Sequence, residues 1–114
     1  MGSDRFHPPI FSLDVTAHDD GHTTVSVAGE LDLATAEEFS TAIRGALARG
    51  GAVRIDLGEL SFMDSAGVRA LNTALREAAE QGRELRVCEG MQPGVVQMLE
   101  LTGMLGLLPV EDQA

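Results

Sequence analysis

The chain has no Trp, no Tyr and no Lys, so that all eight of its basic residues are Arg. Without lysine there is no Schiff-base amine and no G-x-x-x-x-G-K phosphate loop, which excludes ATP hydrolysis by that route. A single cysteine, Cys88, permits no internal disulfide. No apolar run approaches the length of a bilayer span, and no N-terminal segment joins a basic start to an apolar stretch. A reduced, cytoplasmic setting without direct membrane contact is therefore expected. Positive charge is scarce as well: 8 basic against 18 acidic residues give a net charge of −10 and a pI near 4.5. Such a surface is repelled by nucleic acid and by anionic lipid, so the expected partners are proteins.

What is present suits one α/β domain. At 114 residues the chain is long enough for one core and too short for two. Its 44% apolar content is drawn mainly from Val, Leu, Ile, Ala and Met, with only four Phe, a composition that favours helices packed on a sheet.

Residues 1–9, with Pro8-Pro9, read as a lead-in to a single domain over 10–110, and 111–114 read as an acidic tail. Phe11, Leu13 and Val15 alternate with polar residues, as do Val25 and Val27, and Asp19-Asp20-Gly21-His22 between them is turn chemistry. An antiparallel hairpin is expected. His18 and His22 with the two aspartates form an exposed loop tip, where a solvated turn is the simpler reading and no metal is expected. Gly29-Glu30-Leu31-Asp32 is read as leaving the second strand. Thr35-x-x-Glu38 has capping-box spacing ahead of a helix whose apolar face is Phe39, Ala42, Ile43, Ala46 and Leu47, stopped by Gly50-Gly51.

Val53, Ile55 and Leu57 form a third strand, from which Ser61-Phe62-Met63-Asp64-Ser65-Ala66-Gly67 is expected to turn into a helix with Val68, Leu71, Leu75, Ala78 and Ala79 inward. Leu85 and Val87 mark a fourth strand, with Cys88 as a small buried hydrophobe. Pro93 opens a third helix that turns Val95, Met98, Leu99 and Thr102 inward and stops at Gly103, and an edge strand follows around Pro109. The Met and Leu residues between Met91 and Leu108 read as core lining, with an adaptable contact surface as the alternative. The implied fold is a mixed four- to five-stranded sheet, a hairpin and then parallel strands, with helices packed against it.

Asp64 is an N-cap candidate, and Ser65 then lies in the first turn of the helix, where unpaired N–H groups favour negative charge. In sheets of this kind function gathers at the C-terminal strand ends, and the turns carrying Asp32 and Asp64-Ser65 both leave such ends. From spacing alone Asp32 is a loop or cap residue and Asp64-Ser65 merely caps a helix.

With Gly29-Glu30-Leu31-Asp32, Ile55-Asp56-Leu57, Leu60-Ser61-Phe62-Met63-Asp64-Ser65-x-Gly67 and Val87-Cys88 in this order, the sequence resembles the STAS family, most closely its single-domain bacterial anti-sigma factor antagonists. The resemblance runs from about Phe11 to Val110. It implies that an anti-sigma serine kinase phosphorylates Ser65, with Asp32 and Asp64 as acidic neighbours. It implies a cycle in which the unphosphorylated chain binds the kinase and frees a sigma factor, phosphorylation ends the contact, and a serine phosphatase resets it. Met63, Asp64, Ala66, Gly67 and Val68 would join Asp32 and Ser65 in the contact surface. No cofactor is implied, and the chemistry lies with the kinase rather than with this chain.

Two departures from the family pattern stand out. Ala66 replaces the Ser or Thr often found after the phosphosite, and the chain is read as stopping before the terminal helix such antagonists carry. A second reading therefore stays open, a constitutive STAS accessory subunit of an ABC-type phospholipid transport system. A homodimer is left open too. An enzyme is disfavoured, since no spaced His, Cys and Asp set supplies a nucleophile with its base and no glycine fingerprint follows a strand.

Overall fold

The two alternating runs form an antiparallel hairpin, β1 (Phe11–Ala17) and β2 (Thr23–Leu31), in a computed structural model that describes residues 11–111. The expected lead-in over 1–9 and most of the expected tail, 112–114, lie outside the described residues. Then follow α1 (Ala36–Ala48), β3 (Val53–Met63), α2 (Ser65–Glu80), β4 (Leu85–Cys88), α3 (Pro93–Leu101), a short 3₁₀ turn (Leu105–Leu107) and β5 (Val110–Glu111). The sheet runs in chain order, β1-β2-β3-β4-β5, with only the β1–β2 pair antiparallel. Each parallel connection steps one strand in the same direction, so right-handed crossovers place all three helices on one face.

That face is the core. Val25, Val27, Ile55, Leu57, Val87, Phe39, Ile43, Leu47, Leu71, Val95 and Leu99 are almost wholly buried in one cluster. Each such side chain contributes about 1.5–3 kcal/mol by leaving water. The alternate residues of β2 and β3, among them Thr24, Ser26, Arg54 and Asp56, point away from it and stay partly exposed. The sheet therefore has one dry face and one wet face, although three of its four strand pairs are parallel.

β2 and β3 run further than their apolar runs suggest. Gly29 to Leu31 remains in β2, and Ser61 to Met63 remains in β3, where the turn was expected. Two register shifts, between Ser26 and Ala28 and between Gly29 and Glu30, absorb extra residues as bulges. Gly29 takes φ +94 at the second, a conformation costly for any residue with a Cβ, and Asp56 Oδ1 accepts the Gly58 N–H at 2.9 Å beside the first. The bulges reset the alternation, so that Leu60 and Met63 turn inward while Ser61 and Phe62 face outward.

The helices depart from the expected stripes in detail. In α2 Val68, Leu71 and Ala78 are buried, but so are Ala70 and Ala74, while Ala79 is exposed, because α2 packs against α1 as well as against the sheet. In α3 Val95 and Leu99 are buried, whereas Thr102 is exposed and caps the helix, its hydroxyl donating to the Met98 carbonyl at 2.9 Å. Between Met91 and Leu108 the chain divides: Met104 and Leu108 line the core, and Leu101 and Leu107 face solvent. The last strand is a two-residue edge, as Pro109 suggested, with the Pro109 carbonyl accepting the Val87 N–H at 3.0 Å. Glu111 belongs to this strand rather than to a tail, and its carboxylate pairs with Arg54 of β3 at 2.6 Å.

Two glycines separate packing from backbone effects. A Cβ on Gly67 would sit 2.8 Å from the Leu31 carbonyl oxygen and 2.8 Å from Met63 Cγ, whereas one on Gly45, in α1, would meet nothing within 4 Å. In urea denaturation, Gly67→Ala is expected to lower stability by about 2 kcal/mol or more through overpacking, and Gly45→Ala to raise it by about 0.5–1 kcal/mol through helix propensity.

Candidate functional site

β2 and β3 end level with each other, at Leu31 and Met63. The residues that follow, Asp32 and Asp64, therefore emerge side by side, and the Asp64 N–H donates to the Leu31 carbonyl at 3.2 Å. Asp64 has the extended backbone of an N-cap, and its Oδ1 accepts the N–H groups of Ala66 at 2.9 Å and Gly67 at 3.2 Å. This is the cap the spacing suggested. Ser65 is the first residue of α2 and is exposed, and among the described residues no group hydrogen-bonds to its hydroxyl.

The Asp32 turn is built differently from the expected capping box. Thr35 makes no side-chain cap to α1. Its hydroxyl accepts the Asp32 N–H at 2.9 Å and points back to the Glu30 carbonyl at 3.0 Å, while Asp32 Oδ1 accepts the N–H groups of Ala34 at 3.0 Å and Thr35 at 3.2 Å. One oxygen of Asp32 is thus committed to its own loop, the structural role that spacing alone favoured. The same bonds stiffen residues 32–35 and hold Leu33 in solvent at 78% exposure. A leucine displayed on a hydrogen-bonded loop loses little further freedom when something docks on it.

Of the residues expected to form a contact surface, several lie too deep. Met63 is 1% exposed, Val68 8% and Ala66 9%, and Gly67 is buried against β2. Met63 and Val68 therefore do not flank Ser65 with accessible apolar area: Met63 faces the core at the end of β3, and Val68 lies on the inner stripe of α2. The apolar area at this end of the molecule is supplied instead by Leu33 and by Phe62, which is 46% exposed on β3 directly opposite Glu30. Leu33 had a sequence signal, an apolar residue inside a turn otherwise made of Asp, Ala and Thr. Phe62 had one as well, since alternation counted from Leu57 places it on the outward side of β3.

Beside Ser65 a shallow groove of about 180 Å³ runs between α1 and α2, lined by Leu33, Ala36, Glu37, Ser40 and Arg69 among others. A larger hollow of about 320 Å³ lies between β1, β2 and β3, among Asp14, Ser26, Asp56 and Glu59. At the opposite end of β2 from Asp32, the hairpin tip holds His18 and His22 with stacked rings 4.0 Å apart. Hydrogen bonds from the His22 backbone and ring hold the Asp20 carboxyl below its usual range. Among the described residues no group of His, Cys, Asp and Glu is placed to hold a metal ion, and no helix is long and apolar enough to cross a membrane.

Known proteins resemble this chain in sequence and fold. The family model described as "Mlab, STAS domain" matches residues 15–109. The anti-sigma-B factor antagonist of Listeria monocytogenes is 30% identical over 102 residues, covering 89% of each chain. The anti-sigma F factor antagonist of Paenibacillus polymyxa is 29% identical over 97 residues, covering 83% of this chain and 82% of that one. Among solved structures, an anti-sigma factor antagonist from Mycobacterium paratuberculosis superposes with a TM-score of 0.78 at 28% identity, over 90% of this chain and 87% of that one. The unphosphorylated form of the anti-sigma factor antagonist SpoIIAA shares the fold with a TM-score of 0.73 at 21% identity, over 90% and 89%. A family model that spans nearly the whole sheet, together with a relative aligned over almost its full length, leaves one conclusion: the chain belongs to the STAS domain family.

Proposed function

We propose that the chain is an anti-sigma factor antagonist: unphosphorylated, it binds an anti-sigma serine kinase and frees a sigma factor, and phosphorylation of Ser65 ends the contact. A serine phosphatase then restores the binding form. The observation that carries this reading is the exposed hydroxyl of Ser65 at the mouth of α2, without a hydrogen-bond partner among the described residues and next to a stiffened loop that displays Leu33. The names of the relatives at 29–30% identity support it.

In such a transfer the Ser65 oxygen attacks the γ-phosphorus of ATP, the bond to the departing ADP oxygen breaks, and the hydroxyl proton leaves to a base on the kinase. This chain supplies the acceptor and its positioning, not the catalysis. The product carries close to two added negative charges at pH 7. They fall beside Asp64 and Asp32, on a chain whose net charge is already −10. Inside an apolar contact that charge opposes docking by about 1–3 kcal/mol, from repulsion and from lost hydration. It scarcely touches the fold, since Ser65 is exposed. The cycle consumes ATP and acts on a sigma factor, which places it in the cytoplasm.

A second reading, a constitutive STAS accessory subunit of an ABC-type phospholipid transport system, rests on Ala66, which leaves Ser65 as the one hydroxyl of the first turn of α2. Leu33 and Phe62 would serve such a standing contact equally well. Phosphate content separates the two readings, because the constitutive subunit carries none in cells.

Incubation with the cognate kinase and labelled ATP is expected to label the wild type and leave Ser65→Ala blank; equal label on both removes Ser65 as acceptor. In a calorimetric titration against the kinase, Ser65→Asp is expected to bind at least about 10-fold more weakly, which corresponds to about 1.4 kcal/mol. Leu33→Ser is expected to weaken the same binding by a similar factor while leaving the thermal midpoint unchanged, as for an exposed hot-spot residue.

A further inference from the structure

We infer that Arg69 is the intramolecular counter-charge for a phosphate on Ser65, and that capturing it withdraws Arg69 from the groove between α1 and α2. This inference rests on the phosphorylation proposed above. It adds a second effect of the modification, on a part of the surface that the phosphate itself does not occupy.

Ser65 and Arg69 stand four residues apart on α2 and both are exposed. That spacing makes them neighbours on one helix face, and long helical side chains lean toward the N-terminus, here toward Ser65. Arg69 is also uncommitted. Arg44, Arg54 and Arg86 are paired with Glu37, Glu111 and Glu84, whereas Arg69 takes part in none of the ion pairs among the described residues. It lines the groove with Leu33, Ala36 and Glu37 instead.

The first turn of α2 does little for a phosphate by itself. Its Ala66 and Gly67 N–H groups are already taken by Asp64 Oδ1. Around this entrance stand the acidic Asp64 on the turn itself, Glu30 and Asp32 at the end of β2, and Glu37 across the groove on α1, the last already paired with Arg44. The Arg69 guanidinium, one turn along the helix, is a group able to offer paired N–H donors to phosphate oxygens. Once it turns to them, the groove loses its cation beside Leu33 and Ala36. A partner that had used both the hydroxyl surface and the groove would lose two contacts to one modification.

The test installs phosphoserine at position 65 during translation, so that no kinase is needed, and follows the ³¹P chemical shift of the full chain against pH. The second ionisation of a phosphoserine lies near 6, and a bound guanidinium favours the dianion and lowers it. The wild type and Arg76→Gln, a change two turns further along the same helix, are expected to titrate together. Arg69→Gln is expected to titrate higher by about 0.3–0.7 pH units, with the gap shrinking in 0.5 M salt. Coincident titrations of the wild type and Arg69→Gln overturn the inference and leave the kinase reading standing. A kinase that fails to label Ser65 overturns that reading and leaves this titration valid.

Discussion

No side chain fits between the first turn of α2 and the end of β2. The Leu31 carbonyl oxygen and Met63 Cγ would each lie 2.8 Å from a Cβ at position 67, well inside the contact distance of any real pair of atoms. A glycine lets α2 start there, and the Asp64 N–H bonded to the same Leu31 carbonyl holds it in place. Because this contact joins the two strand ends, the loop after β2 and the mouth of α2 occupy one small area. Ser65, Leu33 and the α1–α2 groove adjoin for that reason, although more than thirty residues separate Leu33 from Ser65 along the chain.

The same region shows how a strand end decides what is displayed. Phe62 and Met63 are neighbours of similar size and hydrophobicity, yet one is 46% exposed and the other 1%. Regular alternation from Leu57 would turn Ser61 and Met63 inward and leave Leu60 and Phe62 outside. The bulges move Leu60 in and push Ser61 out, leaving Ser61 and Phe62 as consecutive exposed residues on the rim. The irregularity thus changes the sides of Leu60 and Ser61, while Phe62 and Met63 keep the sides that alternation from Leu57 gives them.

Much of the domain was legible in the residues themselves. The hairpin, the element order, the Asp64 cap and the position of Ser65 follow from local rules of period, turn and cap, and each appears where those rules place it. The misread features depend on partners distant in sequence. β3 continues past Gly58 because β2 lies alongside to pair with it, and Thr35 abandons its capping box because the Glu30 carbonyl lies within reach of its hydroxyl. Ala70 and Ala74 are buried because α1 lies against α2, information that a helical stripe in one segment does not contain.

Among the described residues the sheet tapers at its far side to Val110 and Glu111, introduced by Pro109 and fastened by the charge pair to Arg54. An incoming strand would find little backbone there to copy, and a proline has no amide hydrogen to lend it. Over the described residues, crowded copies of this chain thus find little template for stacking edge to edge on that border.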